Sequence, residues 1–402
     1  MSPAATKRLL LVSNGHGEDL SGARLAAALR GRGLEVEALP LVGHGEAYRR
    51  AGIPVLGRTR QGSTGGMGHV SLAGGLVDLL EGQPLYVLGR LTLLWRRRRH
   101  YRLVIGVGDV LAALACWLSR RPAALYLVAY SSHYEGRLRL PWPCGWLLRR
   151  RRLRALWSRD PLTAEDLSQQ LRRPVQFLGN PFVDGLAAAH PSSAGPGSVL
   201  LLPGSRQPEA GRNLQLMLQV LAALPPALAA PRPWRAALVA ALGPEALAAL
   251  PLPPGWRWQG PERLRCGALE LQLGWRQFEP WLGEAELVLA SAGTACEQAV
   301  ALGLPVLQLV GRGPQFTGRF AEAQRRLLGP GLDWAPGRPG SRRQIAGTAE
   351  KLTSRLAELA DPAGGAALRQ ELRAVAAERL GPTGASERLA AAIMALLETS
   401  DG

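Results

Sequence analysis

Lysine is almost missing from this chain: only Lys7 and Lys351 are lysines among 48 basic residues, and the rest are arginines. Cysteine is scarce too. Cys116, Cys144, Cys266 and Cys296 stand far apart, with no Cys-x-x-Cys pair and no neighbouring histidine. That spacing excludes a zinc site and a disulfide framework and fits reduced thiols, and no metal or cofactor is expected. Long apolar runs are absent as well. The best of them, Val110 to Leu118, falls far short of the ~20 residues that a spanning helix needs. Near the N-terminus only Leu9 to Val12 is continuously apolar, too short for a secretion signal, so the expected location is the cytoplasm.

What remains is the composition of a folded protein. The chain is 47% hydrophobic, which excludes wholesale disorder, and its 402 residues suggest two domains at roughly 100–200 residues each. The net charge of +17 is unevenly spread: residues 1–190 hold 27 basic and 13 acidic groups, against 21 and 18 in residues 191–402. An arginine bias alone can reflect genome base composition, whereas this asymmetry points to a negatively charged partner on the first half.

Hydrophobic patterning predicts alternating strands and helices. Arg8 to Val12 reads as a buried strand, Ser13 to Asp19 as a glycine turn, and Leu20 to Arg30 as an amphipathic helix. Further strands are expected at 34–41, 102–106, 124–129 and 176–179, with a helix at 110–119 and a long loop between Gly57 and Gly89. The stretch Ala189 to Ser198, AHPSSAGPGS, is a linker, and beyond it the pattern restarts with strands at 198–202, 234–240, 287–290 and 305–309. The fold class is therefore α/β, with two Rossmann-like, doubly wound parallel-sheet domains. They are expected at 1–190 and 198–402, the second including helices at 368–379 and 385–397. An inter-domain crevice lined by the strands' carboxyl ends would bind the ligand.

Two turns of the second domain carry the chemistry. Leu287 to Ala290 runs into Ser291-Ala-Gly293-Thr294-Ala-Cys-Glu297-Gln298, a strand that ends in Ser-x-Gly-Thr and opens a helix. Free N–H groups and the positive end of the helix dipole suit an anion there, and a carboxylate one turn on can accept from both hydroxyls of a ribose. The alternative is a capped helix with a solvated glutamate. The other turn is Leu201-Leu-Pro-Gly204-Ser205-Arg206. The planar fork of an arginine suits a diphosphate, although a surface arginine is common in so Arg-rich a chain.

These two motifs, with the opening LVSNGHGEDLSGA, resemble lipid-A-disaccharide synthase and, more closely, the lipid-A-disaccharide-synthase-related proteins of the GT-B glycosyltransferase class. The likeness continues in order through Val42-Gly43, Met67-Gly68, Gly106 to Asp109, Leu178-Gly-Asn-Pro-Phe-Val-Asp184 and Gly313-Pro-Gln315-Phe-Thr317. It implies an inverting hexosyltransferase with a UDP-sugar donor in the second domain and a lipid or lipid-linked acceptor in the first. Arg206 would contact the diphosphate, Gly293, Thr294 and Glu297 the uridine ribose, and Gln298 and Gln315 phosphate or sugar hydroxyls. The acceptor side departs from the synthase: one aspartate, Asp109, stands where the synthase has two, and its aromatic segment is replaced by Ala129-Tyr-Ser-Ser-His-Tyr134.

Such a transfer needs a base for the acceptor hydroxyl. Asp109, before the helical Val110-Leu-Ala-Ala, is a candidate for base and equally for helix N-cap. His16, between two glycines, and Asp19 share the other first-domain turn; Asp19 and Gly22 would shape it.

Arg137 to Arg159 reads RLRLPWPCGWLLRRRRLRALWSR. Trp142, Trp146 and Trp157 beside Arg149, Arg150, Arg151 and Arg152, with Arg96 to Arg99, fit a peripheral contact with an anionic inner-leaflet membrane surface. A solvated basic surface over a core would read the same way. Nucleic acid is not expected, since no nucleic-acid motif accompanies the arginines. Two other functions share the expected fold: a UDP-sugar 2-epimerase, and a non-catalytic protein that binds a nucleotide or lipid.

Overall fold

The computed structural model describes residues 8–60, 83–186, 197–229, 232–311 and 317–399. Two compact units result, one formed by Met1–Asp184 with Leu380–Gly402, the other by Gly185–Arg379.

The first unit holds a wholly parallel sheet of β1 (Arg8–Ser13), β2 (Glu35–Pro40), β3 (Leu103–Gly108), β4 (Ala123–Leu127), β5 (Leu153–Ser158) and β6 (Gln176–Phe177), in the order β2-β1-β3-β4-β5-β6. Its central strands are apolar without alternation because both faces are covered. Leu9 and Leu11 of β1 face one core layer, with Ile105, Tyr126 and the helix Ala385–Glu398. Leu10 and Val12 face the other, with Ala112, Cys116 and Leu147.

Two expectations change here. The last helix does not belong with the second domain: Leu389 and Ile393 are buried in the first unit's core, beside the helix His16–Gly31. Asp184 fixes its start, its Oδ1 accepting from the N–H groups of Gly384 (2.7 Å) and Ala385 (3.0 Å) and its Oδ2 from that of Ser386 (2.7 Å). Asp184→Ala should cost about 1–2 kcal/mol, the usual worth of an N-cap, and raise hydrogen exchange over 385–398 first; unchanged protection there would contradict this docking. Trp157 is the second correction. It lies in β5, in register with Tyr126, and is 1% exposed, so it is a core residue and not a membrane contact. The strand hides within an arginine-rich stretch whose Leu153, Leu156 and Trp157 are all buried.

The expected loop at 57–89 is also shorter, since a helix begins at Gln83 and runs to Arg97; residues 61–82, with Met67-Gly68, lie outside the described residues.

Among its described residues the second unit has eight strands: β7 (Ser198–Leu202), β8 (Trp234–Leu238), β9 (Arg257–Trp258), β10 (Arg263–Cys266), β11 (Leu269–Trp275), β12 (Ala285–Ala290), β13 (Val306–Gln308) and β14 (Leu332–Trp334). Their order is β14-β13-β12-β7-β8-β11-β10-β9, parallel except at β9 and β10. The antiparallel edge and β14 were not expected from the sequence.

Candidate nucleotide and proton-transfer sites

In an open α/β sheet, ligands bind beyond the carboxyl ends of the strands where the strand order reverses. In the second sheet the chain first proceeds outward from β7 through β8 and β11, then returns to β12 on β7's other side, so the reversal lies between β7 and β12. Leu202 and Ala290 are in register there, and the Ser291 N–H donates to the Leu202 carbonyl (2.8 Å). The two motifs singled out in the sequence are thus neighbours: Pro203-Gly-Ser-Arg206 leaves β7 and Ser291-Ala-Gly-Thr294 leaves β12.

The first turn depends on Gly204, whose φ of 114° lies where only glycine is at ease. Ser205 is exposed and Arg206 partly buried. The helix Glu209–Ala222 follows, and the Ala210 N–H donates to the Arg206 carbonyl (2.7 Å). Beneath the turn, fully buried Asn213 donates through Nδ2 to the Pro203 carbonyl (3.0 Å). A Cβ on Gly311 would stand 2.1 Å from Asn213 Oδ1, so the turn after β7 and the segment after β13 are packed on one amide.

In the second turn, Ser291 is buried and its hydroxyl donates to the Leu309 carbonyl (2.9 Å). Gly293 precedes the helix Thr294–Ala301, with no side-chain cap on its first N–H groups. Glu297 and Gln298 are both buried, at 3% and 4% exposure, so Glu297 is not the solvated glutamate of the alternative reading. A Cβ on Gly293 would meet Phe320 and Gln324 at 3.5 and 3.8 Å, ordinary contact distances, so packing does not demand glycine at that position. Gln315 lies outside the described residues.

Several supporting residues escaped the sequence reading. Gln308, buried at the end of β13, donates from Nε2 to the Ala292 carbonyl (3.2 Å) and to Gln324 Oε1 (3.3 Å). Gln344 accepts from the Gly340 N–H (2.7 Å) and donates to the Val310 carbonyl. Single buried glutamines leave no motif; their polarity amid an apolar strand or helix pattern was the only available signal.

In the first unit the strand order reverses between β1 and β3, and the predicted residues gather at that point. Gly108, with φ of 153°, allows Asn14 to approach: a Cβ there would lie 1.7 Å from Asn14 Oδ1, which accepts from the Asp109 N–H (3.2 Å). Asp109 Oδ1 accepts from the Leu111 N–H (2.8 Å), so this residue caps the helix Val110–Leu118. His16 opens the helix His16–Gly31. Asp19 lies in that helix's first turn, 2% exposed, with Oδ1 accepting from Ser13 (2.6 Å), whose hydroxyl in turn accepts from buried Tyr48 (2.9 Å). Burial pushes the Asp19 carboxyl up to about 7, against the opposing pull of the Ser13 hydrogen bond.

The same carboxyl edge continues at β4 and β5. Asp160 accepts from the Thr163 N–H (2.7 Å) at Oδ1 and from Ser131 and Thr163 hydroxyls (both 2.8 Å) at Oδ2, and His133 Nε2 lies 3.8 Å from its Oδ1. The tetrapeptide Ser158-Arg-Asp-Pro161 was a readable signal for this missed element, since Asp before Pro is the signature of a helix start. Among the described residues no group of three His, Cys, Asp or Glu side chains is placed to hold a metal ion.

No family model matches the chain, and no curated protein is similar to it in sequence. Solved structures do match. A putative UDP-N-acetylglucosamine 2-epimerase from Listeria monocytogenes aligns over 99% of this chain and 98% of its own, with a TM-score of 0.60 and 15% identity. The glycosyltransferase SnogD from Streptomyces nogalater aligns over 98% and 100%, at 0.58 and 16%. The UDP-GlcNAc 2-epimerase from Neisseria meningitidis, solved with UDP-GlcNAc, aligns over 97% and 100%, at 0.54 and 14%. The chain therefore has the GT-B fold that these transferases and epimerases share.

Proposed function

We propose that this protein is a glycosyltransferase that moves a sugar from a UDP-sugar to a lipid or membrane-associated acceptor, in the manner of lipid-A-disaccharide synthase. The observation that carries the reading is the meeting of the Gly204–Arg206 and Ser291–Glu297 turns at the reversal point of the second sheet. Neighbours of the same fold include one solved with UDP-GlcNAc and one with UDP. In this reading Arg206 and the N–H groups at Gly293 and Thr294 take the diphosphate, with Ser205, Ser291 and Gln298 shaping the pocket, and Glu297 takes the ribose hydroxyls. Gln315 is assigned to phosphate or sugar from its motif alone. The glycine at 293, which packing does not require, leaves backbone open to a close ligand.

During transfer the acceptor oxygen bonds the anomeric carbon while the bond to the diphosphate breaks, and the electron pair leaves with UDP. Arg206 and the helix N-terminus stabilise that charge. The base comes from the carboxyl edge of the first sheet, where Asp109, His16 and Asp19 sit.

A lipid acceptor is favoured by one face of the first unit. Leu85, Leu88 and Trp95, at 74%, 60% and 38% exposure, form a stripe on the helix Gln83–Arg97, whose last two residues, Arg96 and Arg97, are followed by Arg98 and Arg99. That helix packs on the helix Val110–Leu118, as does Cys144–Leu148. There Trp146 is 45% exposed and stacks with Arg150, and neighbouring Trp142 is 91% exposed. Apolar side chains ringed by guanidinium groups suit an anionic lipid surface. Arg149 to Arg152 are all exposed beside it. No described helix is long and apolar enough to cross a membrane. Incubation with UDP-GlcNAc and UDP-glucose tests the reading: UDP release should appear only when extracted membrane lipid is added. Isomerised sugar without acceptor would instead identify an epimerase, and binding without turnover a nucleotide-binding protein.

A further inference from the structure

We infer that a hollow beside the exposed tryptophans of the first unit grips the phosphate headgroup of an anionic membrane lipid; this rests on the membrane face proposed above and names what that face recognises. The hollow measures about 800 Å³, and three arginines, Arg137, Arg139 and Arg149, line it. Separate parts of the chain build it. Arg137 and Arg139 follow the helix Ser132–Glu135, Arg149 follows the helix Cys144–Leu148, and Gln170 comes from the end of the helix Pro161–Leu171. Glu135 is the one acidic residue on the lining, so positive charge prevails there.

The three guanidinium groups are available in different ways. Among the described residues, the side chains of Arg137 and Arg139 have no hydrogen-bond or ion-pair partner. Arg149 is braced: Nη1 donates to the Gly145 carbonyl (3.3 Å) and Nη2 to the Gln170 carbonyl (3.0 Å), which leaves further N–H groups of its fork for a ligand. Asp166 turns its oxygens to other donors. Its Oδ2 accepts from the Ser132 hydroxyl (2.8 Å) and the Leu138 N–H (2.7 Å), and its Oδ1 from Gln170 Nε2 (2.8 Å), so Arg137 feels its field without a bond to it. Like charges gathered on one hollow repel each other. A phosphate among them relieves that repulsion and takes charge-assisted bonds from the planar forks.

A lipid is favoured over a free phosphate by the chain between two lining residues, Leu140 and Gly145. That chain carries Trp142, 91% exposed, and Trp146, next after Gly145, is 45% exposed. Indole rings beside guanidinium groups suit the headgroup depth of a bilayer, so the lipid whose phosphate fills the hollow presents its acyl chains to those rings.

Flotation of the full chain with two kinds of vesicle tests this. Both contain phosphatidylcholine; one is doped with phosphatidic acid, the other with oleate to the same surface charge. The chain should bind the first at least ~10-fold more tightly. Arg137→Gln/Arg139→Gln removes two exposed charges and no bond of the fold. It should weaken binding to the phosphatidic acid vesicles by about 30-fold and abolish the preference. Arg151→Gln/Arg152→Gln, outside the hollow, should weaken both kinds alike and keep the preference. Trp142→Ser should weaken vesicle binding and leave binding of inorganic phosphate, followed by calorimetry, unchanged. Equal binding of the two vesicles, or a preference that survives Arg137→Gln/Arg139→Gln, would overturn the assignment. Vesicle binding untouched by Trp142→Ser would make the hollow a site for soluble phosphate and overturn the lipid. None of these measurements involves UDP, so a chain that selects phosphate lipid but binds no UDP would defeat the transfer reading alone.

Discussion

Glu297→Gln should weaken uridine and UDP alike, whereas Arg206→Ala should weaken UDP and spare uridine. A carboxylate that accepts from two ribose hydroxyls makes charge-assisted bonds worth about 1.5–3 kcal/mol each, and the amide keeps its size but not its charge. A loss of about 2–4 kcal/mol corresponds to roughly 30- to 1,000-fold in affinity. The arginine's contribution is confined to phosphate and should be of similar size, growing weaker in high salt. Calorimetric titration of each variant with uridine and with UDP gives four affinities. Equal losses for both ligands in both variants would mean that Glu297, 3% exposed, and Arg206 act through folding and not by contact.

The second large effect concerns stability against pH. Asp19 is buried with one oxygen hydrogen-bonded to Ser13, and its carboxyl is pushed up to about 7, from 3.8, chiefly by burial. The folded state therefore holds the proton more tightly than the unfolded one. That contribution is complete below about pH 4 and is lost as pH rises through about 7. A difference of that size corresponds to about 4 kcal/mol at most. Asp19→Asn, which cannot ionise, should be clearly more stable than the wild-type chain at pH 8 and no more stable at pH 4. Urea unfolding of both proteins at the two pH values decides it, and the same difference at each would show that Asp19 does not titrate in its buried place.

The legible parts of the molecule were those written in short local patterns. Leu9-Leu10-Leu11 announces a strand buried on both faces, and Pro203-Gly-Ser-Arg and Ser291-Ala-Gly-Thr announce turns at strand ends. Their adjacency is a matter of sheet order, which one sequence does not state. β12 lies beside β7, with Ala290 opposite Leu202, although β8, β9, β10 and β11 all come between them in the chain.

Other features were hidden by composition. β5 lies inside a run of arginines, so Trp157 resembled a surface anchor until its register with Tyr126 put it in the core. The last helix has the same amphipathic pattern whichever domain it covers, and only Asp184, 200 residues from Gly384, fixes its destination. Asp109 was ambiguous for a physical reason: the geometry that makes aspartate a good cap also puts a carboxylate at a strand's carboxyl end, and the hydrogen bond to Leu111 shows the cap in place.

A crystal structure of the full chain with UDP would test the central claim most directly. The diphosphate should lie between the Arg206 guanidinium and the N–H groups of Gly293 and Thr294, with both ribose hydroxyls on Glu297. UDP bound elsewhere on the chain, or a Glu297 carboxylate turned away from the ribose, would contradict it.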